Sequence, residues 1–220
     1  MIGTTLVEGQ YGKSPIIFAV DDYSLENITL ASGQKLVAGT ILGKISYGAA
    51  TAAAVAGNTG NGTCSAVTVG VGAKVGVYRV TFIKATTNLG TFIVEGPDGI
   101  QVGAPGVVGT AYTGGGLTFT LSDGATDFVA GDQFTITVAA GSGKYTAVAP
   151  AATDGSAVAA AVLVMDTDAT NGDVICSAIL RFAALNTAKL NFGSLDAGQT
   201  ATAKAQLASL YPPIICRAGI

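Results

Sequence analysis

Apolar and polar residues alternate along three stretches in the middle of the chain. Tyr78, Val80 and Phe82 share one parity, with Arg79 and Thr81 on the other. Leu117, Phe119 and Leu121 alternate with Thr118 and Thr120, and Phe134, Ile136 and Val138 with Thr135 and Thr137. A period of two belongs to a strand with one buried face. Turn chemistry separates the stretches at Pro97-Asp98-Gly99, Gly114 to Gly116, Asp123-Gly124 and Gly131-Asp132. Roughly six or seven short strands are expected between 50 and 140, folded as a small antiparallel β-sandwich.

On either side the pattern differs. Ile16 to Val20 is an apolar run between Pro15 and Asp21-Asp22, Ile28-Thr29-Leu30 runs into a Ser32-Gly33 turn, and Leu36 to Ile45 is broken by Gly39 and Gly43. Ala157 to Met165 is apolar but about half the ~18 residues that cross a bilayer. One helix is predicted, over Ala201 to Leu210. Asp196 or Thr200 can cap it, Ala203, Leu207 and Leu210 share a face, and Pro212-Pro213 stops it. The chain therefore reads as mainly β. A β-rich core with a short C-terminal helix, residues 1–49 and 141–220, is interrupted by an inserted antiparallel β-sandwich, residues 50–140.

Composition narrows the function. Of 220 residues, 49% are hydrophobic and only 11% charged, so apolar surface is expected to be hidden between subunits rather than in a membrane. Net charge is −3, and no two of the 11 basic residues are adjacent, which disfavours a nucleic-acid partner. Cys64, Cys176 and Cys216 lie far apart with no histidine in the chain, so neither a disulfide framework nor a metal site is expected. The opening MIGTTLVEGQ lacks the basic and apolar regions of a secretory signal, and the expectation is a protein made in the cytoplasm.

The tools of an enzyme are missing. Without histidine there is no ordinary triad and no common general base near neutral pH. Ser32-Gly33-Gln34-Lys35 has S-x-x-K spacing, but Gly33 in its middle reads as a turn and no K-T-G follows. Gly141-Ser142-Gly143-Lys144 lacks the earlier glycine of a phosphate loop, and Tyr145 replaces its Ser/Thr. Asp166, Asp168, Thr170, Asn171 and Asp173 offer oxygens at calcium-like spacing. An EF-hand loop would place Gly and Glu where Asn171 and Ser177 stand, so a polar turn between strands is expected. No catalytic residue, metal or cofactor is assigned.

Two segments carry a resemblance: GQKLVAGTILGKI, Gly33 to Ile45, and PAATDGSAVAAAVLVMDTDATNGD, Pro150 to Asp173. Together with the closing helix and tail, Ala201 to Arg217, they resemble the head decoration proteins of lambda-like tailed phages. The resemblance implies a structural virion protein on the outer capsid surface. It would form a homotrimer at local three-fold axes and clamp major capsid protein subunits after the shell expands, with no membrane partner. The segment 50–140 departs from the short members and is similar to immunoglobulin-like ornaments on phage structural proteins. A competing class is a phage tail or surface-adhesion module binding carbohydrate, for which only Tyr78 and Tyr112 offer stacking rings in the insert.

The resemblance also implies an N-terminal arm, residues 1 to about 27, that adds a strand to a sheet edge on the shell. Ile16, Phe18 and Val20 would face one side with Ile17 opposite, and Tyr11 and Tyr23 would anchor the ends. The alternative is that Ile16 to Val20 is an ordinary first strand of the core.

Overall fold

The computed structural model describes residues 15–19 and 21–218. The chain divides into two compact units: residues up to 45, 143–151 and 156 onward form the first, and 46–142 with 152–155 the second. Against the boundaries expected from sequence, the second unit begins and ends a few residues further out and also takes in 152–155. The carbonyl of Asp154 accepts from the backbone N–H groups of Ser46 and Tyr47. This pairing runs through backbone atoms, so side-chain patterning gives no sign of it.

The first unit is built on a closed five-stranded barrel, in the order Tyr145–Ala147, Leu25–Leu30, Val174–Ile179, Ala159–Leu163 and Ile41–Lys44. Alternation sends Leu30, Leu42, Ala161, Leu163 and Ala178 into one cluster, and Ile41, Val162 and Ile179 into another. Ala159 joins the second cluster although its parity matches Ala161. The register shift between those two residues is a bulge that resets which face each side chain takes.

The second cluster is completed by a three-stranded sheet, Ile16–Ala19, Ala183–Asn186 and Ile214–Arg217, and by the helix Ala197–Ser209. The helix starts a turn earlier than its apolar spacing predicts, because Asp196 caps it. The Asp196 carboxylate accepts from the Gln199 N–H at 2.8 Å, and the Gln199 side chain accepts from the Asp196 N–H at 3.1 Å. Ala203 and Leu207 are buried, and Leu210 packs on the same cluster.

Two glycines of the GQKLVAGTILGKI stretch have steric reasons to be there. A Cβ on Gly43 would sit 2.1 Å from the carbonyl oxygen of Ser156, where the barrel strand passes close to that backbone. Gly39 has φ of +81°, and a Cβ there would overlap the carbonyl oxygen of Lys189 at 2.2 Å. Gln34 ties the same stretch to the returning chain. Its Oε1 accepts from the Ala147 N–H and the Thr146 hydroxyl, each at 3.1 Å.

The second unit holds two antiparallel sheets around one core. The larger has the order Gly106–Val107, Leu89–Glu95, Gly76–Thr86, Gln133–Ala140 and Tyr47–Ala54. The smaller sets Leu117–Ser122 between Ala111–Gly114 and Thr63–Cys64, with Thr68–Val69 also pairing with Leu117–Ser122. The alternating positions read from sequence all point inward: Tyr78, Val80, Phe82, Leu117, Phe119, Leu121, Phe134, Ile136 and Val138 share one buried cluster. Phe82 stacks on Phe128 at 4.2 Å, and Phe119 meets Tyr112 at 5.0 Å. Asp132, almost fully buried, bridges the loops at one end. Its carboxylate accepts from the N–H groups of Thr59, Gly60 and Val129.

Candidate functional site

The strongest candidate for contact with another molecule lies on the first unit, around the strand Ile16–Ala19. That strand pairs antiparallel with Ala183–Asn186, which pairs in parallel with Ile214–Arg217. The inward parity carries Leu185, Ala183 and Ile214, with Ile16 and Ala19 packed against them. The register shift between Ile16 and Phe18 leaves Ile17 as the bulged residue, 45% exposed, and Ile215 is also exposed.

Next to this sheet, Phe182 has a φ of +46°, a left-handed conformation that a bulky side chain rarely takes. Two backbone anchors hold it: the Ser24 hydroxyl donates to the Phe182 carbonyl at 2.8 Å, and the Phe182 N–H donates to the Pro212 carbonyl at 3.3 Å. The Phe182 ring remains 42% exposed and meets the edge of Tyr23, itself exposed, at 5.8 Å. The Arg181 guanidinium lies 5.5 Å over the Tyr23 ring, donates from Nε to the Tyr23 carbonyl at 3.0 Å and pairs with the Glu26 carboxylate. Tyr211, beside Pro212, is 99% exposed. Aromatic rings with an arginine among exposed apolar side chains are what buried protein–protein contacts are enriched in.

Of the six arm residues picked out from sequence, Tyr11 and Val20 lie outside the described residues, as does the side chain of Phe18. Ile16 packs on the core, while Ile17 and Tyr23 are exposed. Leu25 to Asn27, the end of the expected arm, is barrel wall. Phe182 and Tyr211 were not singled out from sequence, because neither sits in a periodic pattern and a left-handed φ at phenylalanine leaves no sequence signal.

The other chemistry-bearing groups are engaged in structure. Asp168 pairs with Lys35 at 3.0 Å and accepts from the Thr170 hydroxyl and N–H; those bonds and the Lys35 charge hold its carboxyl down at about 2. Asp173 pairs with Lys144 at 2.5 Å and accepts from the Ser32 N–H, and Asp166 accepts from the Ala38 N–H. Burial pushes the Cys64 thiol up to about 11 and also raises Cys176 and Cys216, which leaves little thiolate for nucleophilic chemistry. Tyr78 and Tyr112, the two rings considered for sugar stacking, are core residues. Their hydroxyls donate to the carbonyls of Gly115 and Val102, so their faces are not available to a ligand.

A family model described as Bacteriophage lambda head decoration protein D matches residues 5–212, nearly the whole chain. The chain belongs to that family. Membership of that family supports a structural role in capsid decoration. No helix among the described residues is long and apolar enough to cross a membrane.

No curated protein matches the chain. Parts of it resemble two crystal forms of FlgL from Xanthomonas campestris, at 22% identity over 47% of this chain with TM-scores of 0.33 and 0.34. The flagellar junction protein FlgL from Legionella pneumophila is similar at 21% identity over 48% of this chain, with a TM-score of 0.35. These matches cover 33%, 32% and 37% of the flagellar chains, and a likeness so slight carries no argument about this head decoration protein.

Proposed function

We propose that this protein binds the outside of an expanded phage capsid as a homotrimer at local three-fold axes and stabilises the shell. The observation that carries the reading is the family match over residues 5–212. The exposed surface around Ile17, Tyr23 and Phe182 supplies apolar area for contact with a capsid protein or a neighbouring subunit. The docking element is the outer side of the strand Ile16–Ala19 and its flank, with Ile17 and Tyr23 as exposed anchors on that surface. Each contact is small, and attachment gains strength because three copies engage at once.

In this reading, residues 46–142 form an ornament inserted in a hairpin and directed away from the shell, since a bulky domain at the binding face would block docking. This reading calls on no nucleic-acid partner, and the basic residues are scattered, with Lys35, Lys74, Lys144 and Arg181 each paired with a carboxylate.

Co-sedimentation of the full chain with purified capsids tests the proposal. Saturable binding to expanded capsids, with little binding to unexpanded ones, is expected. Failure to bind either form would contradict it.

A further inference from the structure

The larger sheet of the second unit ends on an unusual edge. Tyr47–Ala54 is eight residues long, pairs among the described residues on one side only, with Gln133–Ala140, and reads YGAATAAA. Other edge strands of these two sheets are two to four residues long. Edge strands are ordinarily protected by brevity, charge, proline or a covering element. Here no charged residue and no proline occurs between Lys44 and Lys74. Asp154 covers the start of the edge, through the N–H groups of Ser46 and Tyr47, and no other backbone partner meets the outward side of Ala50 to Ala54 among the described residues.

The direction of the free backbone groups follows from the ladder. Val55 N–H donates to the Gln133 carbonyl, so Val55, Ala53 and Thr51 bond inward and Ala50, Ala52 and Ala54 present their N–H and C=O groups outward. Ala50 and Ala52 pack on the core cluster yet stay only half-buried, near the strands Thr63–Cys64 and Thr68–Val69 of the smaller sheet. Thr51 and Ala53 stand exposed on the outer face.

We infer that this edge pairs with the same edge of a second copy of the chain, antiparallel and centred on Ala52. The strand is complementary to itself in that register. Ala50 of one copy meets Ala54 of the other, Ala52 meets Ala52, and each such pair exchanges two backbone hydrogen bonds. Thr51 lies opposite Ala53. Nothing charged opposes anything charged, and no side chain is large enough to hold the backbones apart. The contact is isologous and small, so it is weak in dilute solution and joins copies that are already concentrated. It does not depend on the capsid-binding reading, because all its residues lie in the second unit.

The test is sedimentation velocity of the full chain as its concentration is raised to about 1 mM, where even so small an interface is populated. The wild type is expected to double its mass if it is a monomer when dilute, and at least to double it if the dilute species already carries several copies of the edge. T51K/A53K sets lysine opposite lysine and should abolish the doubling. T51K/A53E sets lysine opposite glutamate in the assigned register and should restore it. Both positions are exposed, so both variants fold. Hydrogen exchange should slow by about tenfold at Ala50, Ala52 and Ala54 in the concentrated wild type.

No doubling by the wild type, doubling by T51K/A53K, or no restoration by T51K/A53E would each overturn the inference. So would protection of those three amides by purified capsids but not by concentrated protein, which would assign the edge to a capsid strand. Capsid co-sedimentation by T51K/A53K reports separately on the proposed function.

Discussion

The backbone N–H of Gly143 donates to the carbonyl oxygen of Ile45 at 2.9 Å, and the Ile45 N–H donates to the Lys144 carbonyl at 2.9 Å. These bonds extend the antiparallel ladder between Ile41–Lys44 and Tyr145–Ala147 to the point where residues 46–142 begin and end. The barrel hairpin is thus closed by its own hydrogen bonds, and what lies beyond occupies the place of its turn. Insertions are tolerated best at such tips, because little buried backbone is disturbed.

Replacing residues 46–142 by a short glycine-containing turn should therefore leave the first unit folded. The shortened protein is expected to stay soluble, to bind capsids, and to melt within about 8 °C of the parent's first-unit transition, a change of roughly 1–2 kcal/mol. Circular dichroism and co-sedimentation check this. An insoluble or unfolded product would show that the barrel needs the second unit.

Asp132 makes the second unit acid-sensitive. Burial by itself would raise its pKa, but the N–H groups of Gly60, Thr59 and Val129 outweigh that and hold the carboxyl below its usual range. A folded-state pKa below the unfolded value of about 3.9 gives stabilisation that is complete above that pH and is lost as the pH falls through the folded value. Asp132→Asn should cost about 2 kcal/mol or more at pH 7, through weakened bonds to buried donors. The gap between wild type and variant should shrink below about pH 4. Urea midpoints at both pH values test this, and a constant gap would contradict it.

The surface around Phe182 is expected to matter for attachment rather than for folding. Ile17→Asp and Phe182→Ser each place a polar group where the side chain is exposed, so the melting temperature should move little while capsid affinity falls about tenfold or more, as for a truncated anchor. Equal affinity for both variants and wild type would move the docking surface elsewhere on the molecule.

Calcium should leave the protein unchanged. Asp166, Asp168 and Asp173 each accept hydrogen bonds from protein groups, and two of them also pair with lysines. A metal would have to displace all of these. Melting with and without micromolar calcium should agree, and a rise of several degrees would contradict this assignment.

Much of the second unit was legible in the sequence because one-sided burial writes a period of two. The parity of Tyr78 with Val80 and Phe82 already placed it inside, although tyrosine also suits a surface and was weighed as one. The helix face was legible for the same kind of reason, and Asp196 was one of two caps the sequence offered, with Thr200. The barrel was harder. Its strands are short, the bulge at Ala159 breaks the alternation, and two apolar clusters leave Ala159–Leu163 apolar on both sides. Of the surface around Phe182, Ile17 and Tyr23 were legible but Phe182 was not, since its place depends on a backbone conformation and on Ser24 and Pro212, which are distant in sequence.

Cryo-electron microscopy of expanded capsids incubated with the full chain tests the central claim most directly. The account predicts three-fold density on the outer surface at local three-fold axes, with the first unit against the shell. Density for a single copy away from those axes, or a shell left bare at saturating protein, would contradict it.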